Sequence, residues 1–420
     1  MHSAVHQTIA AVWRIESARI VAAVARRVRD LGVAEELAQD ALVAALEHWP
    51  KDGVPHNPGA WLMTTAKNRA LDHLRHRQMS EGHHEALAAD RVAQQADHVP
   101  DFVDALGEAM QDEIGDDLLR LIFTACHPVL GTDARVALTL KLLGGLTTHE
   151  IARAFLVPEA TIAQRIVRAK AKIRDAGIPY QVPALNELPE RLASVLRVIY
   201  LVFNEGYSAS SGNVLLQQDL SDEAIRLGRL LVQLLPDPEV TGLLALMLLQ
   251  ASRQRARTDA EGNLVLLERQ DRSLWDRERI EEGCELVRHA LRSRGYGAYT
   301  VQAAIAAVHA EAATANDTDW DEIVGLYDVL QGHWPSAVVA LNRAVALAKR
   351  DGPEAGLAEV EAILAAGELR DYHLVHAASA ELHAQLGHVE EARAAWQQAL
   401  ALTRQAPERR HIERRLQALK

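Results

Sequence analysis

Aromatic residues make up only 4% of this 420-residue sequence, and segments rich in Val, Ile, Thr and Tyr are hard to find. Those residue types favour pleated strands, so their scarcity argues against a β fold. Leu, Ala, Arg and Glu fill the chain instead, and they lose little side-chain entropy in a helix; the expected fold class is all-α. Cysteine is nearly missing. Cys126 and Cys284 stand far apart, with no CxxC and no histidine spacing that would complete a zinc site, so they read as buried thiols in a reducing compartment. The longest apolar run, Leu243–Leu249, falls far short of the ~20 residues a membrane helix needs, and the N-terminus has no apolar signal-peptide core. A cytoplasmic protein with no membrane partner is expected. There is no P-loop, HExxH or GxGxxG. Cys126 and His127 are sequence neighbours that point apart on a helix, and His83 and His84 have no partners at ligand spacing. No enzyme, cofactor or metal site is expected.

The length allows two or three domains. A net charge of −12 argues at face value against a nucleic-acid partner, but the charge is unevenly distributed. Residues 1–79 read as a first helical domain. Ile20, Val21, Val24 and Val28 recur on one helical face, and AEELAQDALVAALEHWP sets Leu37, Ala41, Leu42, Ala45 and Leu46 on another, with a stop at Trp49-Pro50. After KDGVPHNPG the next helix is predicted from about Ala60. Residues 80–117 set eleven acidic side chains against Arg91 alone, which marks an acidic linker or a loosely held helix. Residues 118–178 form a second helical domain, and PYQVPALNELP leads into a third, 186–420. There SDEAIRLGRLLVQLLPDPE, PSAVVALNRAVALAKRDGPE and VEEARAAWQQALALTRQAPE share one plan, with Gly332 and Gly387 ahead of the last two. The plan is that of the second helix in tetratricopeptide-type repeats.

The most informative stretch is LTTHEIARAFLVPEATIAQRIVRAKAKIR. Thr147 or Thr148 with Glu150 makes a capping box, and Leu156-Val157-Pro158 is the turn. A second helix begins near Glu159. Ile162, Ile166, Ala169 and Ile173 face inward; Thr161, Gln164, Arg165, Arg168, Lys170, Lys172 and Arg174 lie mostly outside. Two readings stand: a helix-turn-helix whose basic helix enters the DNA major groove, or an ordinary helical hairpin with a solvated basic face. Residues 132–174 carry more than twice as many basic as acidic side chains, which favours the first. The helix over 60–78 presents Trp61, Lys67, Asn68, Arg69, Asp72, Arg75 and Arg77, a set suited to melting DNA. Alone, it reads better as a core tryptophan with solvated arginines.

Taken in order, these motifs resemble an RNA polymerase sigma factor of the extracytoplasmic-function (ECF) class, in the group with a C-terminal tetratricopeptide-like extension. AEELAQDALVAALEHW resembles the region 2 helix that docks on core polymerase, PGAWLMTTAKNRALDHLRHR the adjoining −10 reader, and GGLTTHEIARAFLVPEATIAQRIVRAKAKIR the region 4 reader of the −35 element. The extension is carried by LRVIYLVFNEGYSAS and LVLLERQDRSLWD, where Arg269 stands in place of an expected acidic residue. The resemblance implies polymerase docking at Ala34, Glu35, Leu37, Gln39 and Asp40. It implies −10 contacts at Trp61, Asn68, Arg69, Asp72, Arg75 and Arg77, and −35 contacts at Thr161, Gln164, Arg165, Arg168 and Lys172, with Leu37 packing and Asp72 paired to an arginine. The implied partners are core RNA polymerase and promoter DNA. The acidic linker either threads the polymerase or shields the basic surfaces. For the repeat domain three roles stay open: docking an unidentified protein, sensing a small ligand, or braking the other domains. NEGY (204–207) and ERQDRSLWD (268–276) either face a pocket there or cap and orient helices. The rival to the whole is a scaffold whose helix-turn-helix only packs.

Overall fold

A computed structural model describes residues 2–81, 106–155, 157–208, 214–259, 261, 263–403 and 406–419. Among them the all-α expectation holds: the regular structure is helical apart from one isolated bridge between Thr258 and Leu264. No helix among the described residues is long and apolar enough to cross a membrane. The chain divides into two units, Met1–Val202 and Phe203–Lys420.

The first unit begins with α1 (His2–Val28), α2 (Leu31–Asp52) and α3 (Pro58–Glu81), each packed on the other two. Ile20, Val21, Val24 and Val28 are buried as their spacing requires. Asp30 caps α2, its carboxylate accepting from the Gly32 and Val33 amides. The α2 core face is narrower than the sequence pattern drew it: Ala34, Ala38, Ala41, Ala45 and Trp49 are buried, whereas Leu42 is half-buried and Leu46 exposed. The stop expected at Trp49-Pro50 does not occur. Pro50 sits inside α2, which runs on to Asp52, and its missing N–H removes a single bond near the end of the helix. Helix α3 starts earlier than expected, with Pro58 pre-set for a first helical turn.

Residues 106–125 form α4 (Leu106–Ala125), so the last part of the expected acidic linker is helical and packs on α1. Asp117 is buried against Arg120 at 2.8 Å and Arg26 at 3.5 Å. The acidic side chains at 85–104 lie outside the described residues. Then come α5 (Thr132–Leu142), α6 (Thr148–Ala154), α7 (Glu159–Asp175) and α8 (Leu188–Ser208). The unit boundary falls inside α8, later than the break expected at 186, because side chains early in α8 hydrogen-bond to its first-unit neighbours. Ser194 Oγ donates to the Cys126 carbonyl at 2.7 Å and Arg191 Nη2 to that of Phe123 at 2.8 Å.

The second unit continues with α9 (Val214–Leu234), α10 (Pro238–Ala251), α11 (Arg277–Leu291) and α12 (Ala298–Glu311). The apolar run 243–249 is explained here: α10 is buried on every side from Val240 to Leu249, packed by α9, α11 and α12. Glu239 reaches from α10 to the start of α12, accepting from the amides of Gly297, Tyr299 and Thr300 at 2.9, 2.6 and 3.2 Å. Next follow α13 (Trp320–His333), α14 (Ala337–Asp351), α15 (Pro353–Ala365), α16 (His373–Gln385), α17 (Val389–Leu402) and α18 (Ala406–Ala418), each packed on the helix before it. The similar segments noted in the sequence form α9, α14 and α17.

NEGY and the later part of ERQDRSLWD orient helices, while Glu268 at the start of the latter lines a cavity. Arg257 lies 3.7 Å over the Tyr207 ring, Arg272 donates to the His309 and Ala312 carbonyls closing α12, and Asp276 caps α11. His309 sits against Trp320, with its ring centroid 5.4 Å away. Burial, and then Arg253 and Arg272, push its pKa from 6.5 down to about 4. The unfolded chain therefore takes up this proton first, and the contribution of His309 to stability is lost as pH falls from 6.5 to 4. The loss is up to ~3 kcal/mol. Acid titration of His309→Gln, followed by denaturant melts of the second unit, should show a shallower decline than the parent over that window.

Candidate nucleic-acid interface

Helix α6 is started by the capping box expected from its sequence. Glu150 Oε2 accepts from the Thr147 amide and hydroxyl at 2.7 and 2.8 Å, while Thr147 Oγ1 accepts from the Glu150 amide at 3.1 Å. Pro158 precedes α7 directly, and α7 packs on both α5 and α6. Leu156, in the turn, lies outside the described residues. The inner face of α7 is Ile162, Ile166, Ala169 and Ile173, all buried, as their spacing predicts. Opposite them Gln164, Arg168 and Lys172 are exposed. Their i, i+4, i+8 spacing places a donor–acceptor amide and two cations in one stripe. Thr161 and Arg165 flank it half-buried, with Arg165 paired to Asp133 at 3.2 Å.

Lys170 departs from the outward position expected of it. It turns inward and pairs with Glu35 of α2, which Lys141 of α5 also approaches at 3.6 Å. Of the residues singled out on α2, Ala34 is fully buried and Glu35 nearly so, Leu37 is half-buried, and Gln39 and Asp40 are exposed. Gln39 Nε2 also donates to Glu35 at 3.0 Å. Tyr180, just beyond α7, adds a second tie: its hydroxyl lies 3.2 Å from the Ala22 carbonyl and 3.0 Å from that of Asp117. Burial, and then the Asp117 charge, push that phenol's pKa upward. These ties were missed in the sequence. The available signal was a carboxylate, Glu35, placed among the alanines of a buried face.

On α3, Trp61 is half-buried and meets the Trp49 ring edge-on at 5.5 Å. Asn68, Asp72, Arg75 and Arg77 are exposed, Asp72 pairing with Arg75 at 3.6 Å. Arg69, half-buried, approaches Asp40 at 3.7 Å. The structure thus brings the α2 and α3 candidates together through Arg69 and Asp40, and ties α2 to α7 through Glu35 and Lys170. Both cysteines are buried, with pKa values raised to about 11 by desolvation, as inert thiols require. No cluster of His, Cys, Asp and Glu among the described residues is arranged to hold a metal.

Comparison with known families resolves this arrangement. Residues 15–79 match Sigma-70 region 2 and residues 120–173 match Sigma-70 region 4. The ECF RNA polymerase sigma factor SigK of Mycobacterium ulcerans (strain Agy99) is 30% identical over 161 residues, 37% of this chain and 79% of SigK. The chain belongs to the sigma-70 family. Region 2 therefore runs from the middle of α1 through α2 and nearly all of α3, and region 4 from the end of α4 through α5 and α6 to near the end of α7, with the helix-turn-helix at its end. The family is non-enzymatic. The probable ECF RNA polymerase sigma factor SigI of Mycobacterium tuberculosis (strain ATCC 25618 / H37Rv) is 27% identical over 187 residues, 44% of this chain and 61% of SigI. An uncharacterized protein of Rhizobium meliloti (strain 1021), R00370, is 47% identical over 400 residues, 94% of this chain and 92% of its own length. That likeness runs through the second unit, and residues 191–291, which begin in the first-unit part of α8, match a family of unknown function, DUF6596.

Proposed function

We propose that this sigma-70 protein is an ECF-type alternative sigma factor that binds core RNA polymerase and reads promoter DNA with both of its sigma regions. The observation that carries the reading is the α7 stripe of Gln164, Arg168 and Lys172, open to solvent opposite a continuous buried face. An amide and a guanidinium make bidentate contacts to base edges and an ammonium holds phosphate, so the stripe suits the major groove of a −35 element. On α3, Asn68, Arg75 and Arg77 offer the −10 surface, and on α2 Gln39 and Asp40 offer the exposed part of the polymerase-docking surface. The protein works by binding in the cytoplasm. Its second unit is a tetratricopeptide-like regulatory domain that receives a protein or a small ligand.

Geometry adds a requirement. The −10 and −35 elements lie ~25 base pairs apart, or ~85 Å along the duplex at ~3.4 Å per pair. A compact unit of the size of Met1–Val202 has a radius of gyration of ~17 Å and a diameter of roughly 45 Å. Regions 2 and 4 therefore part before both elements are read, and the Glu35–Lys170 and Tyr180 ties are the contacts that break. Donor and acceptor dyes placed through His56→Cys and Ala176→Cys test this, since both positions are exposed and both native thiols are buried. Energy transfer should be high in the free protein and fall on addition of bacterial core polymerase. Unchanged transfer at saturating polymerase would contradict the proposal.

A further inference from the structure

Between regions 2 and 4, within the first unit, lies a cavity of about 560 Å³, and none of the residues given a DNA or polymerase role above lines it. Arg26 of α1 and Arg29, just beyond its end, line it from region 2. Arg120 of α4 and Lys170 of α7 line it from region 4, and Arg174 from the last turn of α7. An occupant would touch both regions at once.

Charge decides what fits. Among the described residues the lining sets those five cations against one carboxylate, Asp30, which is turned to the Gly32 and Val33 amides that it caps. The carboxylates that serve the cations stand behind them. Asp117 is shared by Arg26 and Arg120, and Glu35 by Lys170 and Lys141, and neither carboxylate lines the cavity. Their side chains are 3% and 10% exposed, whereas those of Arg26, Arg120, Lys170 and Arg174 keep 34%, 27%, 20% and 65% of their surface. Arg29 is exposed and makes no ion pair among the described residues. A cleft lined by one sign of charge focuses its field and concentrates counter-ions, and guanidinium forks match phosphate oxygens in pairs. The volume falls well inside the small-molecule range of ~300–1,000 Å³. Leu31, Ile173 and Ile178 in the lining give an apolar wall to an organic part.

We infer that this cavity binds a small phosphorylated organic molecule of nucleotide size, and that the bound molecule holds regions 2 and 4 together. The holding role rests on the function proposed above; the site does not. Calorimetric titration of the free full chain at about 0.15 M salt, where exposed charges are largely screened, tests the site. The probes are ATP, GTP and CTP, with adenosine and tripolyphosphate as comparisons. At least one nucleotide should bind once per chain with a Kd below about 1 mM. Adenosine should not bind, and tripolyphosphate, which lacks the organic part, should bind about three-fold more weakly or worse. Arg29→Asn removes a cation while tolerating the left-handed backbone there (φ 54°), and should weaken binding about ten-fold or more. Arg153→Gln, at an exposed cation of α6 outside the lining, should leave it unchanged. Nucleotide at about ten times its Kd should raise the core polymerase concentration needed for half-complex formation about ten-fold, and should not do so for Arg29→Asn. No nucleotide binding, tripolyphosphate binding as tightly, equal losses in Arg29→Asn and Arg153→Gln, or a polymerase requirement indifferent to nucleotide would each overturn the inference. A chain that binds nucleotide as expected but never polymerase would count against the proposed function and leave the site standing.

Discussion

Replacing Arg168 and Lys172 together by alanine is expected to weaken binding of the polymerase-bound protein to −35 duplex DNA by about 30- to 1,000-fold. On the proposed reading Arg168 would supply a base-edge contact of ~1–3 kcal/mol and Lys172 a phosphate contact, whose loss should also reduce the salt slope by about 0.9. Both side chains are exposed on α7 and neither belongs to its buried face, so the melting behaviour of the first unit should hold. Arg165→Ala should cost less, because its guanidinium is half-buried and already paired with Asp133. Fluorescence anisotropy across a salt series reads all of these. Unchanged affinity and slope in the double variant would return the helix-turn-helix to a packing role.

Gly242→Ala should destabilise the second unit by roughly 3–6 kcal/mol, a large effect for one methyl group. A Cβ at 242 would stand 2.1 Å from Thr300 Oγ1, 2.6 Å from Thr300 Cα and 2.7 Å from its nitrogen. A side chain could rotate away, but the Thr300 backbone cannot, so α10 and α12 must separate. That overpacking costs ~1–3 kcal/mol. It also pulls the Glu239 carboxylate off the α12 amides one turn away, and each such charged hydrogen bond is worth ~1.5–3 kcal/mol. Gly325→Ala on α13 is the control. Nothing lies within 4 Å of its Cβ position, so the helix preference for alanine should leave it neutral or more stable by up to ~1 kcal/mol. Because a two-unit chain need not melt in one step, hydrogen exchange on α10 and α12 is the measurement. Comparable protection in Gly242→Ala and the parent would refute the close-approach argument.

What was legible in the sequence was local. The Thr147–Glu150 box, the turn at Pro158 and the Ile162–Ile166–Ala169–Ile173 face follow from spacing within a single helix pair, and the structure reproduces each. What escaped depends on contacts distant in sequence. Lys170 belongs by periodicity to the outer face of α7, yet Glu35, 135 residues away, draws it inward. Pro50 carries a strong local stop signal, yet tertiary packing of Trp49 carries α2 past it. Asp117 belongs by local pattern to the acidic stretch, yet it is buried by pairing with Arg120 and with Arg26, 91 residues away. The cavity between regions 2 and 4 is assembled from segments distant in sequence and has no linear signature.

The central claim is tested most directly by transcription with purified bacterial core polymerase on a library of genomic fragments. The account predicts that the chain forms a complex with core polymerase and starts transcripts at discrete sites sharing upstream −35 and −10 sequences, with Arg168→Ala/Lys172→Ala losing them. Failure to bind polymerase at low salt, or start sites no different from those of core polymerase alone, would contradict it.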